Sequence, residues 1–253
     1  MFSLATWPFR EDLKKDLLGT LRKIKELGFD GVELTGGLKY PPLLLKNALE
    51  ETHLALVGWH IFSLDLLAED LLFATILYMN TVSNHMIVIP NLPDEMTNTS
   101  TAWVNTAALF NSVAKCLQAY NISLSYHNHA FEFTRLDSKY LFDSFCNNIS
   151  ENVYLQADTG NILSAGASPE HFIELYKKKI RTIHIKPYSL ITGFSSNIDS
   201  GDIDFNQIIN SCIAGGIEEY IIEYEGSGDS YEKASECLCS IKQIYQKLDS
   251  DSK

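Results

Sequence analysis

The stretch SYHNHAFEF places groups that can transfer protons or bind metal directly after an apolar run. His127, Asn128, His129 and Glu132 lie within six residues of one another, in a chain that has seven histidines. Burying such side chains costs free energy unless each has a hydrogen-bonding partner. Because side chains alternate along a strand, His127 and His129 are predicted to share one face. The stretch therefore indicates either a solvent-exposed segment or a functional site.

Ionisable residues also occur at the ends of other short apolar runs. They are Glu33 in GVEL, His60 in VGWH, Asp158 in LQADTGN, His184 in TIHIK, and Glu223 with Glu225 in IIEYEG. Each type has an ordinary structural explanation by itself: a helix cap for aspartate, a buried ion pair for glutamate, a backbone hydrogen bond for histidine. Their joint position at strand ends favours a common site instead.

The apolar pattern alternates between strand-like and helix-like segments along the whole chain. The strand-like runs are FSLATW, GVEL, LALVGWH, HMIVIP, ISLSYH, VYLQAD, TIHIK and YIIEYE. The helix-like segments cover 12–27, 42–51, 64–79, 101–120, 139–147, 169–179, 205–214 and 231–248. This order predicts an α/β protein with a parallel sheet, and eight units in 253 residues predict a closed (β/α)₈ TIM barrel. No linker marks a second domain, so residues 1–253 are predicted to form a single barrel domain.

The carboxyl ends of barrel strands converge on one face, where TIM barrels carry their active sites. His127, Asp158, His184 and Glu223 end the fifth to eighth predicted strands, and neighbouring strands lie about 4.8 Å apart. Two imidazoles and two carboxylates suit Mn²⁺, Fe²⁺, Co²⁺ or Zn²⁺ rather than Ca²⁺. We therefore predict one divalent metal at this face, with Mg²⁺ as a further candidate.

Charge and cysteine content narrow the class of protein. A formal net charge of −12, from 32 acidic and 20 basic residues, argues against nucleic acid or an anionic membrane as a partner. Five cysteines without a CxxC pair are typical of a reducing compartment. The N-terminal segment lacks the pattern of a signal peptide, and the longest apolar stretch is too short to cross a bilayer. A cytoplasmic protein acting on a small molecule is predicted, and a homodimer is left open.

Eight motifs run through most of the chain: LGFDGVEL, VGWH, VIPNLP, YHNHAFEF, DTGNILSAGASPEHF, RTIHIK, SGDIDFNQII and YIIEYEG. In this order they resemble the sugar phosphate isomerase/epimerase family of xylose isomerase-like TIM barrels. The resemblance implies a metal-dependent isomerase or epimerase of carbohydrate metabolism. Its metal would bind two adjacent oxygens of a sugar, while a carboxylate removes the proton beside the carbonyl.

The resemblance also implies roles for individual residues. Asp158 and His184 look like metal ligands, and Glu223 looks like both a ligand and the catalytic base. His129 and Asn161 look like residues that contact the substrate, and His129 is also a candidate catalytic residue. Further candidates for substrate binding at the strand ends are Trp7, Glu33, His60 and Lys186.

Two departures from the family pattern bear on the reaction. Many epimerising members have glutamate where this chain has His127, so the usual pair of opposed carboxylate bases is incomplete unless Glu132 replaces the missing one. Chemistry with one base, such as dehydration of a 3-keto sugar or isomerisation through a cis-enediol, needs only Glu223 and an acid. Pro187 also stands where similar sequences have aspartate after the lysine.

Two other functions are weighed against the isomerase. A DNA endonuclease on the same barrel would need more metal ligands and a basic groove, which the acidic composition opposes. A non-catalytic sugar-binding relative is kept open by the incomplete carboxylate pair. The glycine motif at 35–37 is too short to indicate a phosphate cradle, so an unphosphorylated sugar or inositol derivative is favoured over a sugar phosphate.

Overall fold

Eight parallel strands form a closed barrel in the computed structural model, which describes residues 1–62, 64, 68–136, 139–194, 198, 201–225 and 230–251. The barrel strands are β1 (Phe2–Ala5), β2 (Gly31–Thr35), β3 (Ala55–His60), β4 (Met86–Ile89), β5 (Ser123–His127), β6 (Val153–Asp158), β7 (Ile180–Ile185) and β8 (Glu219–Ile222). Each strand pairs with the next along the chain, and β8 closes the barrel against β1. The predicted single-domain (β/α)₈ barrel is confirmed.

Helices cover the outside of the barrel. They are α1 (Arg10–Lys15), α2 (Leu17–Glu26), α3 (Pro42–Thr52), α4 (Glu69–Thr81), α5 (Ser100–Gln118), α6 (Asp143–Cys146), α7 (Thr159–Ser164), α8 (Pro169–Tyr176), α9 (Phe205–Gly215) and α10 (Ser230–Asp251). Among the described residues, none of these helices is long and apolar enough to span a membrane.

The predicted first helix, 12–27, is interrupted at Asp16. The backbone is extended there, with φ −148° and ψ 91°. The Asp16 carboxylate accepts a hydrogen bond of 2.9 Å from the Gly19 amide. Because aspartate competes with the helical backbone for such bonds, it caps a new helix instead of continuing the first one.

Other helix boundaries also differ from the prediction. Lys139–Tyr140, predicted to be helical, pairs with Arg135–Leu136 in a short antiparallel hairpin, and only Asp143–Cys146 is helical. The predicted helix 64–79 lies partly outside the described residues. Of its described part, the residues from Glu69 onward lie in α4, whereas residues 64 and 68 do not. The sequence does not predict α7, which begins directly after β6 where DTGN indicates a turn.

The main core lies between the strands and the helices. Trp103 and Phe110 of α5 contact Tyr126 of β5, with ring centroids 5.6 Å and 6.0 Å apart. A fully buried large apolar side chain stabilises the fold by about 1.5–3 kcal/mol. These contacts fix the outer face of β5. Because side chains alternate along a strand, His127, the residue after Tyr126, points into the barrel.

Candidate active site

One side chain from each of the last four strands reaches a common point at the carboxyl end of the barrel. His127 ends β5, Asp158 ends β6, His184 lies next to the end of β7, and Glu223 follows β8. One ligand atom from each residue lies within 4.8 Å of the others, and all four side chains are buried. The predicted strand-end residues therefore do converge.

The two carboxylate oxygens of Asp158 have different roles, one in the fold and one in the site. Oδ1 accepts a 2.7 Å hydrogen bond from the Asn161 amide and so caps α7. Oδ2 is buried and makes no hydrogen bond with the described part of the chain. It faces three nitrogens instead: Lys186 Nζ at 3.5 Å, His127 Nε2 at 3.8 Å and His184 Nδ1 at 4.0 Å. Since a buried oxygen without a hydrogen bond is costly, this atom is suited to a cation.

Gln156 of β6 connects several of the predicted site residues on the inner side of the barrel. Its Oε1 lies 2.7 Å from His60 Nε2 and 2.8 Å from His127 Nδ1. Its Nε2 donates to Glu33 Oε1 at 2.7 Å and to Thr182 Oγ1 at 2.9 Å. Because the amide nitrogen faces two acceptors, Oε1 accepts a hydrogen bond from both imidazoles.

The hydrogen bond to Gln156 determines which nitrogen of His127 carries the proton. Nδ1 donates to the amide oxygen, so Nε2 has a free lone pair on the side of Asp158. Burial, followed by the charge of His184, holds the pKa of His127 well below its ordinary value. A neutral imidazole with one free nitrogen is the form that binds metal ions.

His184 has a carboxylate at each of its ring nitrogens. Nε2 lies 2.7 Å from Glu33 Oε2, and Nδ1 lies 2.6 Å from Glu223 Oε2. Burial alone would lower the pKa of His184, but Glu33 and Glu223 outweigh burial and raise it to about 10. A carboxylate behind one nitrogen is the arrangement that orients metal-binding histidines. An ion would therefore bind at Nδ1 by replacing the proton that Nδ1 shares with Glu223.

Glu33 is fully buried and occupies space that a side chain at position 58 would need. A Cβ atom on Gly58 would lie 2.8 Å from Glu33 Oε1. The register of β2 against β3 also shifts between Val32 and Glu33, an irregularity that re-aims side chains. Burial would raise the pKa of Glu33, but His60 and His184 outweigh it and hold the carboxylate ionised.

A second set of buried residues also has ligand atoms within 4.8 Å of one another: His60, His127 and His184. In this set, His60 Nε2 and His127 Nδ1 already bond Gln156, and His184 Nε2 bonds Glu33. Asp158 Oδ2 in the other set has no such bond. The hydrogen bonding therefore favours the four-residue set with two carboxylates as the metal site.

Lys186 lies among the carboxylates at the mouth of the site. Its Nζ is 3.1 Å from Glu225 Oε2, 3.4 Å from Glu223 Oε1 and 3.5 Å from Asp158 Oδ2. Burial alone would lower its pKa, but Asp158 and Glu223 outweigh burial and raise the pKa above the ordinary value. Lys186 is therefore a permanent positive charge that can hold a substrate oxygen.

Most of these groups line a cavity of about 300 Å³, at the small end of the range for ligand sites, whereas Asp158 and Gln156 are not among its lining residues. The sequence-predicted residues that line it are Trp7, Glu33, His60, His127, His129, Asn161, His184, Lys186 and Glu223. The cavity is also lined by Glu225, a strand-end residue to which the sequence assigned no role, and by Phe62 and Phe194, which sequence reasoning missed. Sequence reasoning also missed Gln156, whose only signal is its position two residues before Asp158 on the same face of the strand.

Glu132 lies behind the cavity wall. Its Oε1 accepts a 2.6 Å hydrogen bond from the Tyr126 hydroxyl, and its Oε2 accepts one of 2.9 Å from the His129 amide. The side chain is 1% exposed. These bonds position the loop that carries His129, so a catalytic role for Glu132 stays a prediction that requires the side chain to leave both partners.

The burial of Glu132 is expected to make folding stability depend on pH. Burial raises its pKa to about 7, so its folded form retains a proton that the unfolded chain has lost. The stabilisation that this proton gives the folded state is fully present below the pKa that Glu132 has in the unfolded chain. It is lost as the pH rises through 7. From pH 5 to pH 8, the unfolding free energy of the wild type should fall by about 2 kcal/mol relative to Glu132→Gln.

Urea denaturation at both pH values measures this difference. Glu132 is the central residue of the 3₁₀ turn Phe131–Phe133. Glu95→Gln is the matched control, because Glu95 is an exposed glutamate at the centre of the 3₁₀ turn Asp94–Met96. The control should follow the wild type at both pH values. Parallel pH profiles for the wild type and Glu132→Gln would contradict the expectation.

Removing the amide of Gln156 is expected to destabilise the fold strongly. Gln156→Leu would leave donors on His60 and His127 and an acceptor on Glu33 without this partner. Since each buried unsatisfied group costs about 1–3 kcal/mol, the unfolding free energy should fall by about 3 kcal/mol. Urea denaturation would measure the loss, with the exposed Gln207→Leu on α9 as a control expected to stay within about 0.5 kcal/mol of the wild type. Equal losses in the two variants would show that the network is not structural.

The fold and the site together define a TIM barrel with a candidate metal centre at the carboxyl ends of its last four strands. A family model described as xylose isomerase-like TIM barrel matches residues 21–241. The chain belongs to this family, whose members include sugar isomerases and epimerases. No curated protein matches the sequence significantly.

Solved structures share the fold at low sequence identity. A sugar phosphate isomerase/epimerase from Parabacteroides distasonis is 17% identical, with a TM-score of 0.83 over 98% of this chain and 94% of that one. An L-ribulose 3-epimerase is 16% identical, with a TM-score of 0.72 over 99% and 96%. A probable 3-DHS dehydratase involved in petrobactin synthesis, from Bacillus anthracis, is 15% identical, with a TM-score of 0.71 over 94% and 98%. At these identities the likeness concerns the fold alone.

Proposed function

We propose that the protein is a metal-dependent isomerase or epimerase of a keto sugar, sugar phosphate or inositol derivative. It would act by removing the proton from the carbon beside a carbonyl. One observation carries the proposal: His127, Asp158, His184 and Glu223 converge in a buried group in which Asp158 Oδ2 lacks a hydrogen bond. Two imidazoles and two carboxylates form a donor set that fits a divalent transition metal.

The four residues would hold the ion through His127 Nε2, Asp158 Oδ2, His184 Nδ1 and the Glu223 carboxylate. When bound, the ion supplies a Lewis acid that polarises a sugar carbonyl. Gln156 and Glu33 keep the two imidazoles oriented toward this point by accepting hydrogen bonds on their opposite nitrogens. The chain thus presents the ligand atoms in position, which limits the reorganisation needed for metal binding.

Glu223 is the group best placed to take the proton. Burial would raise its pKa, but Lys186 and His184 outweigh burial and keep the carboxylate ionised. An ionised carboxylate at the cavity wall can accept a proton from a bound sugar. Lys186 lies 3.4 Å from Glu223 Oε1 and can hold an adjacent substrate oxygen, while Trp7 and Phe62 pack edge to face, with centroids 5.9 Å apart, as an apolar wall.

A dehydratase or lyase of 3-keto sugars is the second candidate, because the site favours a single base. Among the described residues lining the cavity, the carboxylates are Glu33, Glu223 and Glu225. Glu33 is bonded between two histidines. Glu225 is much more exposed than Glu223 and is not part of the buried group that could hold a metal. The family resemblance implies that His127 takes the position of a second carboxylate base. Glu223 as the single base, together with an acid that protonates the leaving hydroxyl group, would suffice for elimination of water.

Metal analysis combined with isotope exchange tests the proposal. The purified protein is expected to contain about one divalent ion per chain. A panel of keto sugars and inosoles in deuterated water should include a compound that gains deuterium beside its carbonyl, and EDTA should stop the exchange. Appearance of an isomer or epimer would support the first candidate, and loss of water the second. Absence of both metal and exchange would refute the proposed mechanism.

A further inference from the structure

A second cavity, of about 480 Å³, adjoins the active-site cavity. The two share the wall residues Trp7, Thr35 and Phe62. The described lining of the second cavity includes Arg10, Lys14 and Lys39 and contains no aspartate or glutamate. We call it the basic cavity.

This concentration of positive charge is contrary to the composition of the chain. The sequence has 32 acidic and 20 basic residues, and the active-site cavity follows that bias with Glu33, Glu223 and Glu225 in its lining. Lys14 pairs with Glu11, so Arg10 and Lys39 supply the excess positive charge that makes the basic cavity a local region of positive potential. Such a region attracts anions and concentrates them near the shared wall.

The guanidinium of Arg10 is held in place at this wall. Its Nη1 donates a 2.8 Å hydrogen bond to the Trp7 carbonyl, and its central carbon lies 4.2 Å from the centroid of the Trp7 ring. Stacking on an aromatic face orients a guanidinium without neutralising its charge. Within the described part of the chain Arg10 forms no ion pair, so its remaining N–H groups are available to a ligand.

Lys39 supplies a second available cation on the loop after β2. It also forms no ion pair among the described residues. Its Nζ would lie 3.3 Å from a Cβ atom on Gly36, whose φ of +88° favours glycine. A Cβ atom on Gly37 would meet nothing within 4 Å, so the loop leaves open space at Gly37, two residues before the lysine. Lys14 contributes less, because it pairs with Glu11 at 2.7 Å.

We propose that the basic cavity binds the phosphoryl group of a phosphorylated sugar whose carbonyl end lies in the active-site cavity. Arg10 presents several N–H donors and Lys39 a point charge, which together match the oxygens of a phosphate monoester. The inference deepens the proposed function and depends on it for the sugar end of the ligand. It departs from the expectation of an unphosphorylated substrate. The sequence did not indicate this anion site, because Arg10 and Lys39 are distant in sequence and only the fold brings them to one cavity.

Titration with inorganic phosphate tests the anion site without metal. The metal-free protein, in EDTA at low salt, would be followed by tryptophan fluorescence and by ³¹P NMR. Trp7 is 40% exposed whereas Trp59 and Trp103 are each 1% exposed, so a fluorescence change reports on the shared wall. Saturable binding is expected. Because two charge-assisted contacts are removed, Arg10→Met/Lys39→Met should weaken it at least about tenfold.

The control is Arg135→Met/Lys115→Met. Arg135 also stacks on an aromatic ring, with its central carbon 5.1 Å from the Tyr140 centroid, and Lys115 is an exposed lysine on α5. This variant should bind phosphate as the wild type does. Absence of saturable binding by the wild type, or equal binding by all three proteins, would overturn the proposal.

A second measurement separates this proposal from the proposed function. The metal-loaded protein is expected to bind fructose 6-phosphate at least about tenfold more tightly than fructose, and Arg10→Met/Lys39→Met should lose that preference. Phosphate binding that depends on Arg10 and Lys39, without binding of either sugar, would keep the anion site and contradict the sugar chemistry. Equal binding of the two sugars by the wild type would overturn the phosphoryl assignment alone.

Discussion

Asp158→Asn is expected to weaken divalent-metal binding by at least about 100-fold, because losing even an outer partner of a metal ligand costs 10–100-fold. The substitution removes the negative charge from the one carboxylate oxygen in the group that lacks a hydrogen bond. Asparagine keeps an oxygen that can cap α7, so the fold should be retained. The loss would therefore appear in metal affinity rather than in folding.

Metal affinity by isothermal titration calorimetry, with metal content of the purified protein, measures this effect. Asp204→Asn is the matched control, because Asp204 caps α9 by accepting a 3.0 Å hydrogen bond from the Gln207 amide and lies in an exposed position. The control should bind metal as the wild type does. Unchanged metal affinity in Asp158→Asn would remove Asp158 from the ligand set.

Glu223→Gln is expected to reduce proton exchange and turnover by about 10³-fold, within the range for removal of a general base. The amide cannot accept the proton, although its oxygen can still approach an ion. We therefore expect a larger loss in kcat than in the affinity for substrate. Deuterium incorporation into a substrate identified by the sugar panel would measure the proton transfer directly.

Glu219→Gln provides the control for this prediction. Glu219 begins β8 at the opposite end of the barrel from the cavity, four residues before Glu223. The control variant should retain turnover to within about twofold, as is usual away from a functional site. If Glu223→Gln retained exchange at the wild-type rate, another group would have to be the base.

The barrel and the centre of the site were predictable because both depend on local patterns. Strand β6 is an apolar run in the sequence, and Asp158 is its last residue. The position of Asp158 therefore does not depend on the conformation of the neighbouring loops. The same holds for His184 on β7. Because parallel strands place their carboxyl ends on one face, the convergence of these residues follows from the fold class.

The remaining features depend on contacts between distant segments. Gln156 carries no charge and lies inside an apolar run, so its four hydrogen-bonding partners become evident only in the folded barrel. The position of Glu132 depends on the Tyr126 hydroxyl and on the turn Phe131–Phe133, which no spacing rule specifies. Asp16 divides a helix because its side chain competes for one backbone bond, a local balance that apolar periodicity does not register.

The close approach of Gly58 and Glu33 makes these two positions interdependent. A methyl group at position 58 would take the place of the Glu33 carboxylate, and a shorter side chain at position 33 would leave an empty space beside Gly58. Either change alone would be disfavoured, so the two residues are expected to change together. Glutamate in the second strand with glycine in the third is therefore a two-position signature. It can be sought in other barrel sequences to find those that place a carboxylate behind the histidine of the seventh strand.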